Sequence, residues 1–100
     1  MANRIELCGR LANPPALSVT PAGTPVLRLV VDCGATAGEL LLAVVMTGEP
    51  ARALAQSLKA GAEIRARGAL HPLRGRTRAG LKNVGIELVA DEIEPARETR

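Results

Sequence analysis

The chain of 100 residues contains no phenylalanine, tyrosine or tryptophan. Its hydrophobic content is nevertheless 47%, which is typical of a folded domain and not of a disordered segment. The core is therefore expected to consist of leucine, valine, isoleucine and alanine, which pack by close interdigitation. The absence of aromatic rings excludes functions that stack bases on aromatic side chains or that enclose a cation in an aromatic cage.

Cysteine and histidine are scarce, and Cys8, Cys33 and His71 are the only residues of these two types. Two cysteines are too few for a disulfide framework, and the three residues lack the spacing of a zinc site. No nucleophile has a positioned base, and the adjacent Asp91 and Glu92 point to opposite faces of a predicted strand. The sequence therefore predicts a protein that is not an enzyme and that binds no metal or other cofactor.

Long hydrophobic runs are also missing from the chain. The longest one covers residues 40–46, seven residues, and is far too short to cross a membrane. The opening residues, Met-Ala-Asn-Arg-Ile-Glu, contain no hydrophobic signal core. We therefore expect a soluble, cytoplasmic protein that makes no contact with membranes.

Alternating hydrophobic residues predict five strands. In the first strand Ile5 and Leu7 alternate with Arg4 and Glu6, before a break at residues 13–15. The third predicted strand is hydrophobic on both faces, which is typical of a fully buried strand or of a subunit contact. The predicted strands cover residues 4–11, 26–33, 39–46, 63–71 and 82–93.

One helix is predicted between the third and fourth strands. Glu49 and Pro50 suit its first turn, four apolar residues follow at helical spacing, and Gly61 ends it. Five strands with a helix in this place are the layout of the OB-fold, an all-β, five-stranded barrel. We expect one OB-fold domain over residues 1–94 and a disordered polar tail over residues 95–100.

Positive charge is concentrated between Ile64 and Ile86, where six cationic residues occur without a carboxylate. The net charge is only +3, because five of the ten acidic residues follow Ile86. The sequence predicts a flexible loop from Leu73 to Lys82, and in an OB-fold the loop between the fourth and fifth strands belongs to the binding surface. A polyanion is the expected ligand, and the phosphate backbone of nucleic acid is the commonest one.

Eight cationic residues are candidates for binding phosphate, unless the loop is only a solvated hairpin tip. The loop residues come first, since arginine offers a planar fork to phosphate and lysine a point charge. Two arginines of the fourth strand would extend the surface, or would pair with acidic residues of a neighbouring strand. Arginines of the first and second strands would join it only if those strands share the exposed face. In this order, the candidates are Arg74, Arg76, Arg78 and Lys82, then Arg65 and Arg67, then Arg10 and Arg28.

Several motifs, taken in chain order, resemble bacterial single-stranded DNA-binding proteins. Residues 3–9, NRIELCG, are similar to the opening strand of that superfamily. Residues 21–25, PAGTP, and 61–68, GAEIRARG, are similar to a turn and the fourth strand of its primosomal branch, and residues 84–93, VGIELVADEI, fit the closing strand. The length of the chain, and the absence of an acidic tail after Arg100, favour the primosomal branch.

The resemblance implies a homodimer of OB-folds that binds single-stranded DNA during primosome assembly and replication restart. It also implies the primosome helicase and helicase-loader proteins as partners. Relatives carry aromatic residues near the loop between the second and third strands, whereas residues 34–38 contain none. Binding would then be weak, sequence-blind and salt-dependent, with a log–log slope of about −3 to −4 for roughly four to six phosphates.

Two alternatives remain open at the level of sequence. The first is a dimeric protein-interaction module of the primosome with little affinity for DNA, which the missing aromatics favour and the basic loop opposes. The second is an RNA-binding OB-fold, since nothing in the sequence reports contacts to a 2′-hydroxyl group.

Overall fold

The computed structural model describes residues 3–34, 36 and 38–96, and within its strands the side chains of residues 74, 76, 77 and 81–84 lie outside the description. The described part contains six strands and one helix. In chain order these elements are β1 (Ile5–Leu11), β2 (Ala16–Val19), β3 (Pro25–Asp32), β4 (Leu41–Thr47), α1 (Glu49–Ser57), β5 (Glu63–Thr77) and β6 (Gly80–Pro95).

The strands form one sheet that closes into a ring. β1 pairs with β5 along Ile5 to Arg10, and with β3 at Arg10 and Leu11. The other neighbours follow the order β5, β6, β4, β3, so five strands complete the ring. The ring and the position of α1, between β4 and β5, are consistent with an OB-fold. The predicted all-β class, with one helix after the central hydrophobic strand, is confirmed.

The prediction of five strands missed β2, although it placed the break before β2 correctly. Leu11 pairs with Val31, and Ala16 pairs with Arg28. Between these two pairs lie four residues of the β1–β2 connection but only two residues of β3. β1 and β2 therefore follow the same edge of β3 as a single path, interrupted at residues 13–15. All four residues of β2 are exposed, and for that reason their sequence lacks the alternation of a half-buried strand.

Alternation along the strands places one face of each inside the ring. On β5, Ile64 and Ala66 are buried while Arg65 between them reaches the surface. Leucine, valine, isoleucine and alanine make up the described core, as the composition predicts, together with the single methionine Met46. The largest fully buried side chains are Leu11, Leu27, Ile64, Leu88, Val31 and Val44.

α1 packs mainly against β3 through the apolar face that the sequence predicts. Ala51 and Leu58 are buried, and Pro50 occupies the first turn as expected. The helix ends at Ser57, earlier than the predicted stop at Gly61, because Leu58 is already extended. Gly61 has a positive φ of 87°, and its N–H donates to the carbonyl oxygen of Leu11 at 2.9 Å, which ties the helix–β5 connection to β1.

Candidate nucleic-acid interface

β5 and β6 continue past the ring as a two-stranded antiparallel hairpin. β6 pairs with β4 only from Glu87 to Val89, whereas its pairing with β5 runs on to Thr77 and Gly80. We call residues 72–86 the basic arm. The longest dimension of the molecule is 51 Å, against 36 and 29 Å for the other two.

The predicted loop from Leu73 to Lys82 is therefore wrong, since most of it is paired strand. Only Arg78 and Ala79 form the turn, and Gly80 follows with a φ of 108° that favours glycine. A register shift between Leu73 and Arg74 marks a bulge, after which the pairing resumes. The glycines and arginines of this stretch have little strand propensity, and ladder pairing with the neighbouring strand overrides it.

The four arm candidates lie close together along this hairpin. Arg74 pairs with Asn83, Gly75 with Lys82, and Arg76 with the residue before Lys82, while Arg78 is exposed in the turn. The side chains of Arg74, Arg76 and Lys82 lie outside the described part. Residues 72–86 contain these four cations and no carboxylate, so the arm has no local counter-charge of its own.

Arg65 and Arg67, in the ring portion of β5, are in a different environment. Arg65 lies 3.0 Å from a Glu94 oxygen and 3.4 Å from Glu6, and Arg67 lies 2.8 Å from Glu92 and 3.2 Å from Glu6. The carboxylate of Glu6, which accepts a hydrogen bond from Arg67, raises the pKa of Arg67 above its ordinary value. β1 and β6 thus supply counter-ions to both arginines.

The same surface carries two further ion pairs. Arg4 donates to Asp91 at 2.7 Å and thereby lowers the pKa of Asp91, and Arg10 lies 3.5 Å from Glu63. Four arginines therefore meet five carboxylates, and phosphate would have to displace a carboxylate to reach them. We call this surface the paired face, which consists of Arg4, Glu6, Arg10, Glu63, Arg65, Arg67, Asp91, Glu92 and Glu94.

Arg28 is not part of the paired face, and it makes no ion pair among the described residues. Its side chain borders a cleft of about 380 Å³ on the sheet face of β3, β4 and β6. Val30, Ala43 and Val45 also line this cleft, and Glu87 is the second charged residue in it. Arg10 pairs with Asp32, which lies four residues after Arg28 on β3, so Arg10 and Arg28 point to the same outer side of the sheet. A role for Arg10, Arg28, Arg65 and Arg67 in nucleic-acid binding stays a prediction.

The cleft residues Glu87 and Leu73 were not candidates from the sequence. The other acidic residues of β6 form ion pairs in the paired face, and nothing in the sequence distinguishes Glu87 from them. Leu73 was assigned to a loop. Only the alternation of side chains along a strand could have predicted the position of Glu87. Glu87 lies between Ile86 and Leu88, so in a strand its side chain points to the face opposite that of Leu88.

The described residues contain neither a metal-binding cluster nor a membrane-spanning helix. Among the described residues, no group of three His, Cys, Asp or Glu side chains could hold a metal ion. Cys8 is exposed and Cys33 half-buried, both as free thiols. No helix in the described ranges is both long and apolar enough to cross a membrane.

The ring of strands and the position of the helix are consistent with the OB-fold class of proteins. A comparison with protein families matches residues 2–96 to the single-strand binding protein family. The chain therefore belongs to this family, whose members bind single-stranded DNA and are not enzymes. The comparison with curated proteins finds no match to the chain. The predicted superfamily is confirmed, and its primosomal branch stays a prediction.

Proposed function

We propose that this protein binds single-stranded DNA through its basic arm, without catalysing a reaction. The observation that carries the proposal is the contrast in charge along β5 and β6. The arm bears four cations and no carboxylate, whereas the arginines of the ring are matched by carboxylates. A positively charged hairpin whose own sequence contains no carboxylate attracts phosphate, and release of counter-ions from the nucleic acid supplies the free energy.

The arm holds the phosphate backbone by charge, because stacking on aromatic rings is not available to this chain. Aromatic stacking contributes about 1–3 kcal/mol per base in other single-strand binders, so the affinity of this protein is low. Its dependence on salt is steep, with a log–log slope of about −3 to −4.

The test is fluorescence anisotropy of a labelled single strand of about 30 nucleotides, beside a duplex and an RNA of equal length, over a series of salt concentrations. The proposal expects saturable binding that prefers the DNA single strand. Arg76→Glu should weaken it at least about ten-fold, because it replaces a phosphate contact by a repulsive charge. Arg52→Glu on α1, where Arg52 pairs with Glu49, makes the same charge change away from the arm and should leave binding intact. A slope near zero contradicts the proposal.

We further propose that the protein is of the primosomal replication protein N type. It would act in primosome assembly and replication restart in the bacterial cytoplasm, with the helicase and helicase-loader proteins as partners. The support is the order of its motifs. One of them, residues 21–25, lies in the β2–β3 turn, where the N–H of Thr24 donates to Thr20 Oγ1 at 3.1 Å. Absence of binding to purified primosome proteins in a pull-down would contradict this role.

Homodimerisation is part of the same proposal. Leu41, the first residue of β4, and Leu40 just before it are 49% and 60% exposed. The run of residues 39–46, which is apolar on both faces, is the one that suggested a subunit contact. The outer edge of β1 from Ile5 to Gly9 has no strand partner in the described chain. Sedimentation equilibrium should give a dimer mass, and a monomer mass at every concentration would contradict it.

The protein-interaction module is the second candidate, and the paired face favours it. With Arg65 and Arg67 occupied by carboxylates, the described ring surface around them offers DNA little positive charge. This alternative expects the wild-type protein to show no binding to DNA, even at low salt. The basic arm would then bind a protein partner with an acidic surface, so Arg76→Glu should weaken partner binding, whereas a phosphate-binding arm leaves partner binding unchanged in this variant. Tighter binding to the RNA strand than to DNA would instead favour the RNA-binding OB-fold.

A further inference from the structure

The cleft on the sheet face has the shape of a ligand site. Its volume of about 380 Å³ falls within the range of about 300–1,000 Å³ that is common for small-molecule sites. The side chains of Val30, Ala43 and Val45 make most of its floor aliphatic, and Pro14 borders it. A flat, weakly polar group such as a nucleobase can lie against such a floor, because its faces need no hydrogen bonds.

Two charged side chains of opposite sign line this cleft. Arg28 is paired with Val45 and Glu87 with Ala43, so the two charges flank β4 from opposite sides at neighbouring positions of one face. Glu87 is half-buried, and among the described residues it makes no ion pair or side-chain hydrogen bond. Its acceptor atoms are therefore available to a ligand.

The cleft is continuous with the basic arm. Leu73, at the base of the arm, lines the cleft together with Glu87. Leu73 pairs with Gly85, two residues before Glu87 on β6. A single strand whose phosphates follow the arm therefore reaches the cleft without crossing the paired face.

Glu87 determines which part of a nucleotide can enter. A carboxylate repels phosphate, so the backbone cannot run beside Glu87 and the edge of a base must face it instead. Guanine presents two adjacent donors, N1–H and N2–H, which one carboxylate accepts as a bidentate pair. Thymine presents one N–H between two carbonyl oxygens, and both of these oxygens repel the carboxylate.

We infer that the cleft is a base site in which Glu87 selects guanine, the aliphatic floor packs against the ring, and Arg28 contacts a phosphate at the rim. This inference rests on the proposed DNA-binding function. It goes beyond that function, because binding through the arm alone is blind to sequence.

The test compares the wild-type protein on three labelled oligonucleotides of equal length, in lithium salt to prevent quadruplexes. The first contains only thymidine, the second has guanine at every third position, and the third has hypoxanthine in place of guanine, which lacks the N2 amine. The guanine-containing strand should bind at least about five-fold more tightly than the thymidine strand, as expected for one bidentate contact. Hypoxanthine should lose most of that gain.

Three variants assign the effect to its residues. Glu87→Gln should abolish the preference for guanine without weakening binding to the thymidine strand, since it removes only the bidentate acceptor. Glu39→Gln removes an exposed carboxylate outside the cleft and should retain the preference. Arg28→Ala should weaken binding to both strands equally. Circular dichroism of each variant checks that the fold is intact.

The possible outcomes distinguish a failure of the base site from a failure of the proposed DNA binding through the basic arm. Equal, salt-dependent binding of the guanine and thymidine strands overturns the base site and leaves the arm proposal standing. A guanine preference that survives Glu87→Gln also overturns the role of Glu87. No binding to any strand at low salt overturns the proposed function, and the base site with it.

Discussion

The basic arm and the paired face both contain arginines of β5, but the charges around these arginines differ between the two regions. β5 carries Arg65 and Arg67 in the ring and Arg74 and Arg76 in the arm. In the ring, the neighbouring β6 places Glu94 opposite Arg65 and an acid opposite Arg67. In the arm, the opposing residues of β6 include no acid. The residues of the neighbouring strand thus determine whether an arginine of β5 lies opposite an acidic residue.

Reversing the charge of the arm should have the largest effect on binding. The triple substitution Arg74→Glu, Arg76→Glu and Arg78→Glu should lower the affinity for single-stranded DNA by about 100-fold or more at low salt, because it removes three phosphate contacts and adds repulsion. Fluorescence anisotropy measures this loss. Retained affinity would show that the DNA surface lies elsewhere.

The ring, unlike the arm, should be intolerant of small increases in volume. A Cβ on Gly68 would meet the carbonyl oxygen of Val89 and lie 2.7 Å from the Cα of Ala90, both backbone atoms. Gly68→Ala should therefore destabilise the protein by about 2–3 kcal/mol in urea denaturation. In the arm, the only described atom within 4 Å of a Cβ on Gly85 belongs to the side chain of Leu73, at 3.9 Å, so Gly85→Ala is the matched control. Equal losses for the two variants would contradict the distinction.

Removing carboxylates from the paired face should make it resemble the arm. The double substitution Glu92→Gln and Glu94→Gln leaves Glu6 to neutralise both Arg65 and Arg67. One cation is then released for phosphate, so DNA affinity should rise about two- to three-fold and the salt slope should steepen by about 0.7. Glu39→Gln removes one carboxylate that makes no ion pair in the described chain, so it measures the effect of one unit of net charge. A gain in the double variant no larger than twice that of Glu39→Gln would show that only net charge matters.

The smallest expected effect is a dependence of stability on acid pH. Arg4 lowers the pKa of Asp91 in the folded protein, so this pair stabilises the fold above the unfolded carboxyl pKa of about 3.9. The contribution is lost as the pH falls below that value and through the folded pKa. The melting temperature of Asp91→Asn should therefore fall less steeply than that of wild type below about pH 4. Identical profiles for Asp91→Asn and wild type would contradict the role of the pair.

The sequence predicted those features that depend on local alternation. Ile64 and Arg65 were assigned to opposite faces of a strand because neighbouring residues of a strand always point to opposite sides. The hairpin of the arm was missed, because its glycines and arginines resemble a loop until the pairing strand is known. The same reason hid the partners of Arg65, since Glu6 and Glu94 come close only through the register of three strands. The cleft combines Arg28 with Glu87, which are far apart in the chain, and no local pattern joins them.

The most direct test measures the salt slope of DNA binding after two matched neutralisations. One variant changes Arg74, Arg76 and Arg78 of the arm to glutamine, and the other changes Arg10, Arg65 and Arg67 of the paired face. Each phosphate contact contributes about 0.7 to the log–log salt slope, so the slope of the arm variant should fall from about −3 to −4 in the wild type to about −1 to −2. The paired-face variant should keep the wild-type slope. A shallower slope in the paired-face variant, with no change in the arm variant, would contradict the account.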